Sequence, residues 1–147
     1  MKLRIVSDIH LEFEEYFIEE HPDDKDTTLI LAGDIGVGTE VPFDFIQNYA
    51  GQFKNIVYVL GNHEFYHNVV EDVRAFWANH NIKNLTVLDD AEAIIDGVRF
   101  TGGTLWTDMN HNDWFTKQRA KGCMPDFSCV KYKKIRMLTD HTVTMQT

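Results

Sequence analysis

Three short groups of polar residues in this sequence carry side chains that can bind metal ions or transfer protons. They are Asp8-Ile9-His10, Gly33-Asp34 and Gly61-Asn62-His63-Glu64. Carboxylate oxygens, an imidazole nitrogen and an amide oxygen form a mixed ligand set suited to Mn²⁺, Fe, Zn²⁺ or Ni²⁺. A carboxylate such as Asp34 can also bridge two cations, and metal pairs ~3.5–4 Å apart activate water in phosphoryl chemistry. The three groups therefore predict a divalent-metal site.

Each polar group follows an apolar stretch that reads as a strand. The stretches are Lys2–Val6, Thr27–Ala32 and Ile56–Leu60, and the last has the composition of a strand buried on both faces. In α/β sheets ligands bind beyond the carboxyl ends of the strands, where these groups would lie. In extended backbone Asp8 and His10 would point to the same face. The sequence thus predicts that the groups converge at one edge of a sheet.

The other elements alternate as in an α/β protein and then turn antiparallel. Pro42–Gly51 and Asn68–Asn79 read as helices, and Lys83–Leu88 reads as a further strand. Asp96-Gly97 between two short apolar runs predicts a hairpin, with strands over Glu92–Ile95 and Val98–Thr101. We therefore expect a mixed α/β fold with a second sheet or a mixed sheet.

Two less regular regions lie outside this alternation. Glu12–Asp26 reads as an acidic, solvated connection with a short helical piece over Leu11–Glu19. Asp108–Asp113 reads as a loop, and the lysines and arginine of Cys129–Leu138 suggest a helix with a basic face. That face is typical of a solvated helix, with a phosphate-attracting patch as the alternative.

Composition and charge narrow the class of protein. The 147 residues suit a single domain, and 14 Lys+Arg against 23 Asp+Glu give a net charge of −9. Such a charge argues against tight non-specific binding of nucleic acid. With only two cysteines, the sequence predicts neither a zinc site built from cysteine pairs nor a disulfide framework. With no signal-peptide pattern and no membrane-spanning segment, we expect a cytoplasmic protein.

The three groups together resemble the signature of the calcineurin-like metallophosphoesterase superfamily. That signature is D-x-H, then G-D, then G-N-H-[DE], each after a strand. Here it stands as Asp8-Ile9-His10, Gly33-Asp34 and Gly61-Asn62-His63-Glu64, in the same order. Three ordered motifs are far more specific than one. The resemblance implies two facing mixed sheets flanked by helices, and a phosphoesterase activity on a phosphomonoester or phosphodiester.

By that resemblance, the site residues take specific roles. Asp8 and His10 would bind the first metal, Asp34 would bridge both metals, and Asn62 would bind the second. The metals would be Mn²⁺ or another divalent ion, and the nucleophile a metal-activated hydroxide. His63 would give a proton to the leaving group or hold the phosphate, because imidazole titrates near neutral pH. Glu64 fits the motif without an assigned role.

The sequence also departs from the family pattern. A later lone histidine and a G-H-x-H motif would supply three more ligands, and neither is present; His111 or His141 would be a forced substitute. We therefore expect residues 1–147 to be the N-terminal part of the family's single domain, with much of its second sheet missing. Two alternatives to an active hydrolase follow. One is a binding or regulatory remnant without turnover, and the other is a half-site completed by a homo-oligomer or a second chain.

Overall fold

The computed structural model describes residues 1–104 and 107–133, which form two sheets and several helices. The main sheet holds β1 (Lys2–Val6), β2 (Thr27–Ala32), β3 (Asn55–Val59) and β4 (Leu85–Leu88). Two helices connect its strands, α1 (Glu40–Ala50) before β3 and α2 (Val70–Ala78) before β4. A hairpin follows, formed by β5 (Ala91–Ile95) and β6 (Val98–Gly102). Further helical segments lie at Asp24–Asp26, His63–Phe65, Met109–Asn112, Trp114–Cys123 and Asp126–Cys129.

The main sheet is parallel throughout, in the order β1-β2-β3-β4. Leu29 on β2 lies beside Ile56 on β3, and Leu31 lies beside Tyr58. Because every strand runs in the same direction, all the carboxyl ends meet at one edge. This arrangement brings the loops after β1, β2 and β3 side by side, as the sequence predicted.

One face of this sheet carries the hydrophobic core. Ile56 and Tyr58 are fully buried and cluster with Phe45 and Ile46 of α1 and with Trp77 of α2. The Tyr58 and Trp77 rings meet edge to face, with centroids 4.9 Å apart. The predicted burial of the third strand is confirmed, because Val57 on the opposite face is only 1% exposed. This core holds the strand that ends at the third polar group.

The opposite face is covered unevenly. A Cβ atom added to Gly102 would lie 2.8 Å from Val59 Cγ2 and 3.0 Å from Leu88 Cβ, so β6 packs directly against β3 and β4. Over β1, by contrast, Leu3 is 48% and Ile5 66% exposed. The second, antiparallel sheet thus has two described strands, and the family fold class predicted from the sequence is confirmed.

The predicted helical piece over Leu11–Glu19 is absent; the segment makes a turn at 11–13 and then runs without regular structure. Its backbone groups pair with side chains of other elements. The Ile18 amide donates to Tyr49 Oη at 2.9 Å, and Arg4 Nη1 donates to the Glu19 carbonyl at 2.8 Å. Tertiary contacts therefore outweigh the weak local helix propensity of this acidic stretch.

Two further differences lie in the last third. The helix Trp114–Cys123 was not predicted, although Asp113 caps it by accepting the Thr116 amide at 2.7 Å. The predicted basic helix over Cys129–Leu138 is wrong at its start, since Val130 and Lys131 pair with Tyr66 and Val69 as isolated bridges. Residues 134–138, Thr139–Thr147 and His141 lie outside the described residues. No helix in the described part of the chain is long and apolar enough to cross a membrane.

Candidate metal centre

The first two polar groups are joined by backbone hydrogen bonds. The Asp8 amide donates to the Gly33 carbonyl at 3.1 Å, and the His10 amide donates to the Asp34 carbonyl at 3.0 Å. A third bond of 3.0 Å, from Leu11 to Ile35, continues the ladder. The loops after β1 and β2 therefore stay paired beyond the sheet, which fixes Asp8, His10 and Asp34 relative to one another.

The backbone at these residues is left-handed. The φ angles are +53° at Asp8, +47° at His10 and +52° at Asp34. Residues other than glycine rarely adopt this region, and such strain gathers at functional sites. The structure also corrects the expectation of extended backbone: Asp8 and His10 converge through two left-handed residues and the ladder to Gly33–Ile35, rather than through strand alternation.

The side chains of Asp8, His10 and Asp34 form a cluster that could hold a metal ion. One ligand atom from each lies within 4.8 Å of the ligand atoms of the other two. Two carboxylates and one imidazole are a donor set that a divalent cation such as Mn²⁺, Fe²⁺ or Zn²⁺ accepts. The residues present therefore fit the predicted metal.

Glu64 joins the third polar group to the second. Its side chain is fully buried and accepts four hydrogen bonds, two on each carboxylate oxygen. Oε1 accepts the Ile35 amide and the Tyr58 hydroxyl, both at 2.8 Å. Oε2 accepts the Gly61 amide at 2.8 Å and the Asp34 amide at 3.2 Å. A single carboxylate thus holds the loops after β2 and β3 together.

Burial raises the pKa values of both Glu64 and its hydrogen-bond donor Tyr58. It raises the pKa of Glu64, against the opposing effect of the hydrogen bonds from Ile35 and Tyr58. Burial also raises the pKa of Tyr58 well above its ordinary value, and the neighbouring Glu64 charge adds to this. Tyr58 therefore stays protonated and serves as a hydrogen-bond donor.

Gly61 allows the loops to approach this closely. A Cβ atom at this position would lie 2.1 Å from Asp34 Oδ1 and 2.5 Å from the Asp34 amide nitrogen. No side chain fits in that space. The glycine of the third group is therefore required by the position of Asp34.

His63 lies beside the cluster, and its backbone amide donates to Asp34 Oδ1 at 3.0 Å. Its ring meets the His10 ring edge to face at 4.4 Å and stacks on Tyr66 at 4.3 Å. Asn62 is oriented differently: its amide nitrogen donates to Tyr66 Oη at 3.2 Å and to Asp126 Oδ1. The structure thus brings Asp8, His10, Asp34 and His63 together, while the Asn62 amide nitrogen is engaged by Tyr66 and Asp126.

Glu12 connects the two imidazoles. Its Oε1 lies 3.1 Å from His10 Nδ1 and 2.6 Å from His63 Nδ1. Partial burial works to raise the pKa of Glu12, but hydrogen bonds from its own amide, His63 and His10 hold it below the ordinary value. The carboxylate is therefore ionised at neutral pH and accepts from both Nδ1 atoms. This leaves Nε2 of each imidazole as the atom for a metal or a substrate.

Comparison with known proteins agrees with this geometry. Residues 1–141 match the family model described as calcineurin-like phosphoesterase. The chain belongs to the calcineurin-like phosphoesterase family. Membership supports metal-dependent phosphoester hydrolysis as the general chemistry of the domain, and the His and Asp groups of the site could bind the metal.

A viral protein is similar to this chain in sequence. The chain is 29% identical over 133 residues to "Uncharacterized protein L509" of Acanthamoeba polyphaga mimivirus, covering 75% of this chain and 46% of the relative. The chain thus spans about half the length of the curated relative that it matches.

Sequence reasoning missed three carboxylates around the family motifs. From the sequence, Glu12 belongs to a solvated connection, Glu64 has no assigned role, and nothing distinguishes Asp126 from other acidic residues. Glu64 carried a usable signal, because it directly follows His63 in the motif. Glu12 and Asp126 carried none, since their partners depend on how distant segments fold onto the sheet edge.

Removing the Glu12 carboxylate is expected to weaken the hydrogen bonds that hold the His10 and His63 rings in one tautomer. In Glu12→Gln, one neutral amide oxygen replaces the charged acceptor, so each ring gains access to its other tautomer. The affinity of the cluster for Mn²⁺ should fall by roughly 10–100-fold, as for other residues that orient metal ligands. Nitrogen-15 NMR of the histidine rings should show Nδ1-protonated His10 and His63 in the wild type and mixed tautomers in the variant. Glu14→Gln, in the same acidic loop, serves as the control and should change neither reading.

Proposed function

We propose that this chain is a phosphoesterase that uses two divalent metal ions, Mn²⁺ first among the candidates, to hydrolyse a phosphomonoester or phosphodiester. The observation that carries the proposal is the cluster of Asp8, His10 and Asp34, whose ligand atoms lie within 4.8 Å of one another beside His63. Family membership over residues 1–141 supports the same chemistry.

The residues divide the work between holding metal and handling the substrate. Asp8, His10 and Asp34 would hold the first metal, while Asp34 and the amide oxygen of Asn62 would hold the second. When bound, the metals supply an activated water molecule and neutralise charge on the phosphoryl oxygens. The left-handed backbone at Asp8, His10 and Asp34 keeps the ligands converged before any metal binds, which lowers the cost of organising the site.

His63 would donate the proton that the leaving oxygen needs. Its Nδ1–H donates to Glu12, so the proton for the leaving oxygen would come from Nε2 of the doubly protonated ring, which is left neutral with its remaining proton on Nδ1. The backbone bond from His63 to Asp34 and the stacking on Tyr66 hold the ring beside the cluster. The acid therefore stays fixed relative to the residues that would hold the metal.

The test is hydrolysis by the purified chain after chelation and reloading with Mn²⁺, Fe²⁺, Zn²⁺ or Ni²⁺. Substrates are p-nitrophenyl phosphate and bis(p-nitrophenyl) phosphate, which represent the monoester and the diester. We expect turnover of at least one ester only in the reloaded protein, rising with metal until about two ions are bound per chain. Absence of turnover with every metal, on either ester, would sink the proposal for this chain.

A binding function without turnover is the second candidate. In residues 1–104 and 107–133, two groups of three side chains could hold a metal ion, Asp8 with His10 and Asp34, and His10 with Glu12 and His63, and the two groups share His10. In the proposed site the first metal has three protein ligands, Asp8, His10 and Asp34, whereas the second has only Asp34 and Asn62. Tight binding of a single metal with no hydrolysis would favour this candidate.

Completion of the site by another chain is a third candidate. The exposed Leu3 and Ile5 on β1 offer apolar surface, and such surface recruits partners. Turnover that increases with protein concentration, together with a dimer in sedimentation, would favour it. A strictly monomeric active species would argue against it.

A further inference from the structure

The carboxylate of Asp126 lies inside the protein beside the metal centre. Asp126 is 5% exposed and accepts two hydrogen bonds on Oδ1, from Tyr66 Oη at 2.7 Å and from the Asn62 amide nitrogen. Within the described ranges it makes no ion pair with a basic group. A buried carboxylate without a cation is costly, so this placement calls for a physical role.

Asp126 reaches this position because its segment is docked on the loop after the third motif. The Cys129 carbonyl accepts the His67 amide at 2.7 Å, and the Lys131 carbonyl accepts the Val70 amide at 2.8 Å. The Lys131 amide donates to the Asn68 carbonyl at 3.1 Å. These bonds anchor the helical turn Asp126–Cys129 beside Asn62.

The hydrogen bonds determine which way the Asn62 amide turns. The Asn62 NH₂ group donates to Asp126 Oδ1 and therefore faces Asp126, since in an amide only the nitrogen carries hydrogen-bond donors. The same NH₂ group donates to Tyr66 Oη at 3.2 Å, which closes a three-membered network. The amide oxygen then lies on the other side of the group and remains as the atom available to a metal.

We infer that Asp126 is a positioning residue that fixes the Asn62 amide so that Oδ1 serves as a ligand of the second metal. Asp126 touches neither substrate nor metal in this role. It acts through Asn62. Tyr66 supports the same orientation, because its hydroxyl accepts from the Asn62 amide nitrogen and donates to Asp126 Oδ1. The inference rests on the proposed two-metal function.

The first experiment counts Mn²⁺ per chain by equilibrium dialysis with elemental analysis, in the wild type and in Asp126→Ala. We expect the second Mn²⁺ to bind 10–100-fold more weakly in the variant, and the first to keep its affinity. Tyr66→Phe keeps the carboxylate and should weaken the second site about fivefold, the effect of one ordinary hydrogen bond. Unchanged affinity for both metals in Asp126→Ala would overturn the inference, as would equal loss of both metals in a folded variant.

Exchanging the amide and the carboxylate between positions 62 and 126 tests whether Asp126 acts through Asn62. A purely structural role of Asp126 would not restore affinity for the second Mn²⁺ in the double variant. Asn62→Asp places two carboxylates against each other, and Asp126→Asn replaces the charged acceptor of the Asn62 amide with a weaker neutral one, so each single variant should bind the second Mn²⁺ more weakly than the wild type. The double variant Asn62→Asp/Asp126→Asn restores one donor and one acceptor in exchanged positions. We expect it to regain at least half of the lost affinity on a logarithmic scale. A strictly additive loss would contradict positioning through Asn62.

A metal-free measurement separates this inference from the proposed function. In the NMR spectrum of the apo protein, the Asn62 side-chain NH₂ protons should exchange slowly in the wild type and rapidly in Asp126→Ala. If the wild type binds only one Mn²⁺, the two-metal proposal fails and the ligand role of Asn62 Oδ1 fails with it, whereas slow exchange of the amide protons would still show that Asp126 orients Asn62. Rapid exchange in the wild type would overturn it whatever the metal count.

Discussion

Replacing Asp34 with asparagine is expected to remove metal binding and hydrolysis together while leaving the fold intact. Asp34 belongs to the ligand cluster with Asp8 and His10 and also accepts the backbone amide of His63. An asparagine oxygen can still accept that amide, so the loop geometry survives. The charge that would bridge two cations is lost. We expect Mn²⁺ affinity to fall by more than about 100-fold, beyond the effect of residues that only orient ligands.

The stability of the metal-free protein distinguishes this loss from unfolding. Asp34 lies near Asp8 and beside the buried Glu64, whose pKa is raised first by burial and further by the Asp34 charge. Removing one of these crowded negative charges relieves repulsion. The apo Asp34→Asn variant should therefore melt at the same temperature as the apo wild type or slightly higher.

The matched control is Asp44→Asn, which removes the same charge from an exposed position on α1. Metal content, turnover of p-nitrophenyl phosphate and melting temperature should all match the wild type. If Asp34→Asn retained two metals per chain and full turnover, the cluster would not be the active metal centre.

The main sheet and the approximate location of the site could be predicted because both depend on local sequence. Apolar runs at Thr27–Ala32 and Ile56–Leu60 indicate strands that need burial on two faces, and the structure places β2 and β3 inside the parallel sheet. Polar residues just after such strands must lie at the carboxyl edge. The motif order then adds the family and the general chemistry.

The supporting residues could not be predicted because their partners come from remote segments. Asp126 contacts Asn62 across 64 positions of sequence, and Glu12 contacts His63 across 51. Hydrophobic periodicity and secondary-structure propensity are local properties and do not indicate such long-range pairs. The left-handed backbone at His10 is equally hidden, since it results from the ladder between two loops rather than from local preference. In the proposed site these contacts orient the motif residues.

Replacing Glu64 with glutamine is expected to destabilise the protein more than any other conservative change at this edge of the sheet. Both carboxylate oxygens accept backbone amides, Oε1 from Ile35 and Oε2 from Gly61 and Asp34. A glutamine NH₂ group must therefore face at least one N–H donor, whichever way the side chain turns. An unsatisfied buried donor costs about 1–3 kcal/mol, and two are left when NH₂ replaces Oε2.

We expect the free energy of unfolding of Glu64→Gln to fall by about 2–4 kcal/mol, measured by urea denaturation of the apo protein. Tyr58→Phe is the matched control, because it removes one of the four bonds to the same carboxylate and no backbone partner. It should cost only about 1 kcal/mol. Comparable losses in the two variants would mean that the hydroxyl, and not the backbone amides, gives Glu64 its stabilising effect.

Hydrogen exchange locates the effect of Glu64 within the fold. The amides of Gly61 and Ile35 should be strongly protected in the wild type, because both donate to a buried carboxylate. In Glu64→Gln their protection should fall while that of β3, which is held by its neighbours in the sheet, persists.

The loops after β2 and β3 would then separate, and Asp34 would lose its fixed distance from His63. Mn²⁺ affinity should therefore decline with the protection of Gly61, even though Glu64 itself lies outside the ligand cluster. Full protection of both amides together with weakened metal binding would contradict this coupling and would require a direct role for Glu64 at the metal.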